Sequence, residues 1–161
     1  MNGSDQPHVP TSPSKNDPHT DAKRQLRFAV LPETFAVCRL GADAPTPPWA
    51  LPAAASFAAL TRTDDELSVI CPQDAVPGGI TAERGWRALK VLGPLPFDAV
   101  GILVGITAPL ADAGIPIFAV STFDTDYVLV KNDRLQAALE VLEQAGHRLS
   151  PPARPRTTNT S

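Results

Sequence analysis

The sequence predicts an α+β fold in which helices cover one face of an antiparallel sheet, and three observations in its second half carry that prediction. Residues 85–92 alternate apolar with polar or small side chains at a period near two and stop at Gly93-Pro94, the pattern of a strand. Two stretches of helical period follow, one opening at Asp98 and closed by Gly114, the other opening after Asn132 and closed by Gly146. Between them lie Ile115–Val120 and Tyr127–Val130, apolar runs too short for helices. With a final short strand at 147–149, the order is strand, helix, strand, strand, helix, strand. This βαββαβ arrangement places two helices on one face of one sheet.

Each element has its own punctuation. Asp98 suits an N-cap and Gly114 the left-handed position beyond a helix end. Val100, Leu103, Val104, Thr107 and Ala111 fall on one face of the helix between them. Pro109 removes the bond to the Gly105 carbonyl and is expected to kink or split that helix. Asn132 caps a second helix carrying Leu135, Ala138, Leu139 and Leu142. In the first half, Leu26–Leu31 and Thr34–Leu40 read as two strands parted by Pro32-Glu33. Phe57–Thr61 and Leu67–Cys71 read as a second pair around the polar 62–66 turn. A proline-rich connection lies between the pairs, with Trp49 and Leu51 packing down from it, and no long helix is evident. Sliding the chain by 61 residues lays Phe57-Ala58 on Phe118-Ala119, Thr61 on Thr122 and Asp65 on Asp126. Two tandem units follow from this: a degenerate one over 26–84 and a complete one over 85–149.

Composition narrows the function. The chain has 161 residues, 43% hydrophobic and 19% charged, enough for a packed core. Residues 1–25 and 150–161 are rich in Pro, Ser, Thr and Asn and are expected to be disordered. Between residues 27 and 149 there are 9 Lys/Arg against 14 Asp/Glu, a charge of −5, which argues against nucleic acid as a partner. Cys38 and Cys71 sit in apolar strands and read as small buried hydrophobes rather than a disulfide framework or zinc site. No apolar segment follows the N-terminal residues as a signal peptide would require. The uncharged run 44–61 holds Pro45, Pro47, Pro48 and Pro52 and cannot be a membrane helix. A cytoplasmic protein with no membrane partner is expected.

No catalytic set is visible. His8 and His19 lie in the N-terminal extension, and His147 reads as an exposed strand residue. No nucleophile elbow, metal cluster or cofactor motif is present, and Gly101-x-x-x-Gly105 sits within a helix rather than at a phosphate-binding turn. Two segments instead attract interest. Residues 94–101 lead into a helix N-terminus, whose free N–H groups and dipole suit a carboxylate. Residues 121–127 form a turn with hydroxyls, the Asp124 and Asp126 carboxylates and two aromatic rings, which suit an ammonium or guanidinium group. The bland alternative is a polar hairpin turn whose side chains satisfy local backbone groups. A free amino acid requires both halves of that chemistry.

The run from Val100 through Thr107-Ala108-Pro109-Leu110 to Ala113-Gly114-Ile115, with Ile117–Val130 after it, resembles the ACT-domain family. It is similar to small bacterial ACT proteins related to the animal cytosolic arginine sensors (the CASTOR family) and to aspartate-kinase regulatory domains. Leu31–Leu40 resembles the opening of those bacterial proteins. The resemblance implies tandem ferredoxin-like units that bind small ligands and pair sheet edge to sheet edge. It implies a ligand site at an ACT–ACT interface formed by Phe97, Asp98, Val100, Gly101 and Ile102 with Val120, Ser121, Thr122, Phe123, Asp124 and Asp126. A homodimer would complete such an interface, since the chain holds at most two units. The expected function is a non-catalytic amino-acid sensor without cofactor. The competing readings are a ligand-free assembly module and a small hydrolase using Asp124 and Asp126.

Overall fold

A computed structural model describes residues 25–96 and 98–151. The strands are β1 (Arg27–Leu40), β2 (Ala59–Arg62), β3 (Leu67–Pro72), β4 (Ala82–Val91), β5 (Ile117–Ser121), β6 (Asp126–Lys131) and β7 (Arg148–Leu149). The helices are α1 (Ile102–Asp112) and α2 (Leu135–Gln144). One sheet runs β2-β3-β1-β4-β6-β5, and β7 joins the start of β1 in parallel. The α+β architecture expected from the sequence is present, with both helices on one face.

The two strands expected before residue 41 are one. Pro32 has no N–H for a ladder, but β1 passes it at a register irregularity against β4 between Val30 and Thr34. On one side β1 pairs with β4 along most of its length, and on the other Phe35–Leu40 pairs with Pro72–Leu67 of β3. This long strand welds the two halves into a continuous sheet.

Helix α1 begins at Ile102, not Asp98. Gly101 caps it at φ 83°, a left-handed conformation that no helix interior contains. The helix buries Ile102, Ile106 and Leu110, leaving Val100 and Val104 59% and 58% exposed. The period of the sequence chose the wrong face because this stretch is apolar nearly all round, and only the starting residue sets the phase. Pro109 does not split the helix. The Gly105 carbonyl that Pro109 cannot serve is met 3.0 Å away by His147 Nε2. His147 is therefore no exposed strand residue: it is 5% exposed, and its Nδ1 accepts the Leu26 N–H at 3.2 Å. With Nδ1 accepting, Nε2 carries the proton and donates it to the carbonyl.

Burial follows the pleat. Phe28, Leu89, Val91, Val128 and Val130 meet α1 and α2 on one face. Farther along that face Cys38, Leu67, Val69 and Cys71 are covered by Trp49, which lies within a short 3-10 turn at Pro48–Ala50. Leu51, expected to pack beside Trp49, is exposed. The opposite face is closed by aromatic side chains: Phe57 stacks on Tyr127 at 4.3 Å and meets Phe35 edge-on at 5.9 Å. Both cysteines are free and buried, as expected. Ser150, placed by sequence in the C-terminal extension, is also buried, its N–H bonded to the Phe28 carbonyl at 2.7 Å. Residues 1–24 and 152–161 of the two extensions lie outside the described residues.

The internal repeat has an offset of 59 rather than 61. Ala59 pairs with Ile70 and Arg62 with Leu67; adding 59 to each gives the observed pairs Phe118 with Leu129 and Ser121 with Asp126. The similarity at 61 aligned like residue types without respecting this register.

Candidate functional site

The two segments singled out by their chemistry lie on either side of one cleft of about 340 Å³. Its walls are Leu95, Pro96, Ala99 and the first turn of α1 on one side and Ser121–Asp126 on the other. That volume is at the small end of ligand pockets.

The first wall exists because Gly101 turns the chain sharply into α1. The amides of Ile102, Leu103 and Val104 precede the first intrahelical bond, from the Gly105 N–H to the Gly101 carbonyl at 2.9 Å. They bring the positive end of the helix to the cleft. The second wall is a tight turn between β5 and β6. The Thr122 N–H donates to the Thr125 carbonyl at 2.8 Å, as does the Thr122 hydroxyl, also at 2.8 Å. The buried Thr125 hydroxyl donates to the Val91 carbonyl at 2.5 Å and ties the turn to the end of β4. Asp126 accepts the Ser121 hydroxyl at 2.6 Å, while Asp124 sits exposed on the turn. The Leu95 N–H donates to the Asp124 carbonyl at 2.9 Å and holds the two walls at a fixed separation. Gly93 permits this approach, because a Cβ there would stand 2.8 Å from the Leu95 nitrogen and 2.9 Å from the Asp124 oxygen.

Of the residues the sequence put forward, Gly101, Ile102, Ser121, Thr122, Phe123, Asp124 and Asp126 line the cleft. Asp98 and Val100 are exposed and do not line it. Val120 turns to the opposite face of β5, into a second cleft of about 380 Å³ facing β2 and β3. Phe97 lies outside the described residues. Sequence reasoning did not single out Leu103 and Val104 for the cleft; the misplaced helix start hid them, and Gly101 was the available signal. Phe123 and Val104, both on the cleft wall, are 79% and 58% exposed. Among the described residues no group of three or more His, Cys, Asp or Glu side chains could hold a metal ion, and no helix is long and apolar enough to cross a membrane.

Residues 81–144, which span β4 to α2, match the ACT domain family. The chain is an ACT-domain protein. Residues 33–79 match a separate N-terminal domain family, so the family boundary falls just before β4. The human cytosolic arginine sensor for mTORC1 subunit 1 is 33% identical over 101 residues, covering 58% of this chain and 31% of that one. The chain thus spans about a third of that relative's length. The crystal structure of protein Atu0741 from Agobacterium tumefaciens is 36% identical, with a TM-score of 0.76 over 83% of this ACT protein and 98% of that chain. The aspartokinase alpha and beta subunit structure, at 18% identity and a TM-score of 0.52, covers 74% of this chain and 97% of that one and shares the fold.

Proposed function

We propose that this ACT protein is a non-catalytic regulatory protein that senses a free amino acid. The ligand occupies the cleft between the N-terminus of α1 and the β5–β6 turn. The observation that carries this reading is the meeting of opposite chemistries across one small cavity. Three helix-terminal amides face the ligand's carboxylate, and Asp124 and Asp126 face its ammonium group. The likeness to a relative named as an arginine sensor and to aspartokinase subunits supports the same class of role. The exposed Val104 and Phe123 on the cleft wall support a second copy closing over the site, so that ligand favours one dimer arrangement. In a cytoplasmic setting the regulated partner then reads that arrangement.

A thermal-unfolding screen against the twenty amino acids tests this. A ligand at a hundred times its Kd adds about 2.7 kcal/mol, a rise of several degrees for a domain of this size. The rise should be confined to one or a few amino acids and be lost in Asp124→Ala. The same exposed apolar pair also suits a ligand-free assembly module, which predicts no shift with any amino acid and an oligomer unaffected by Asp124→Ala.

A further inference from the structure

The two hairpins are built alike and differ at the point where the second one opens. In each, a threonine caps the turn: the Thr63 N–H donates to the Glu66 carbonyl at 2.9 Å, and the Thr122 N–H to the Thr125 carbonyl at 2.8 Å. The threonine oxygen accepts a turn amide in both, from Glu66 at 3.2 Å and from Thr125 at 3.3 Å. Each hairpin then faces the segment that leaves its neighbouring long strand. For β5–β6 that segment is 92–101, after β4, and the space between is the cleft. For β2–β3 it is the turn after β1, where the Ala44 N–H bonds back to the Gly41 carbonyl at 3.0 Å. Here the junction is spanned by a side chain. Arg62, the counterpart of Ser121, donates from Nη2 to the Ala44 carbonyl at 2.7 Å and from Nη1 to the Ala42 carbonyl. The residue opposite it is the buried Leu67, where the second hairpin has Asp126.

We propose that the first half holds a counterpart of the cleft, a guanidinium site occupied by the protein's own Arg62. Two carbonyls on one turn match the rigid donor fork of a guanidinium, and lysine would supply only a point charge. Ser121 is too short to span the equivalent junction, and its hydroxyl is committed to Asp126. The second junction is thereby left open while the first is filled. On the reading of the cleft given above, one chain then takes one ligand rather than two. The occupancy by Arg62 does not depend on that reading.

The test uses the full chain and residue-resolved amide exchange. The reporters are Ala44 and Ala50, whose N–H groups close two local turns of the loop by bonding to the Gly41 and Pro47 carbonyls. Arg62→Ala should speed exchange at both by about tenfold, the effect of losing a charge-assisted pair of bonds, and leave β4–β6 unchanged. Millimolar methylguanidinium should restore slow exchange in Arg62→Ala and have no effect on the wild-type loop, with methylammonium restoring much less. Arg62→Lys should fall between the two. Unaltered loop exchange in Arg62→Ala, or equal restoration by methylammonium, overturns the proposal. No amino acid enters the experiment, so a failure of the sensor reading leaves its outcome intact.

Discussion

Replacing His147 by Ala and Pro109 by Ala, singly and together, tests whether the imidazole stands in for the missing helical donor. In the native chain the Gly105 carbonyl lacks its usual partner because residue 109 is proline, and His147 Nε2 supplies the bond at 3.0 Å. His147→Ala leaves that part-buried carbonyl and the buried Leu26 N–H unpaired. Each unmade bond costs about 1–3 kcal/mol, so the pair comes to about 2–6 kcal/mol, with a further loss from the edge-on ring contact to Phe28 at 5.6 Å. Pro109→Ala supplies an N–H four residues beyond Gly105 and closes the helical ladder. In that background His147→Ala exposes only the Leu26 N–H, so its cost should fall by about 1–3 kcal/mol. Urea unfolding of the four proteins measures this coupling directly, provided the slopes agree. If the two substitutions add to within about 0.5 kcal/mol, the imidazole is not serving the proline's gap and the reasoning fails.

Gly93→Ala should push residues 93–95 away from the β5–β6 turn, because its Cβ meets backbone atoms on both sides. The Leu95–Asp124 bond is then weakened, and faster amide exchange at Leu95 together with a diminished ligand-induced thermal shift is the expected result; an unchanged Leu95 amide counts against the fixed-wall account. Burial, reinforced by the neighbouring Cys38, pushes the Cys71 thiol up to about 11. The thiols should therefore resist Ellman's reagent at pH 8 in the folded protein and react in urea. Since the folded-state values are raised, the stability they contribute is present below about pH 8.5 and declines as pH climbs toward about 11. Rapid stoichiometric labelling of the native chain, or flat stability across that range, speaks against it.

The sequence by itself determined the element types of the second half and the two segments that form the cleft. Those are local matters: periodicity, the glycines at 114 and 146, and residue types whose chemistry does not depend on neighbours far along the chain. Tertiary structure decided the rest. The phase of α1 rested on Gly101 adopting φ 83°, and its unbroken passage through Pro109 rested on a histidine 42 residues beyond Gly105. The fusion of two expected strands into β1 required β4, a partner far along the chain that pairs with it both before and after Pro32. The repeat offset of 59 became visible only through pairing register, which composition along one strand does not encode. Likewise Arg62 and Ser121 are unremarkable in sequence, each a polar residue at the end of a short strand. What separates a filled junction from an open one is which distant carbonyls each side chain can reach, and only the folded chain sets that distance.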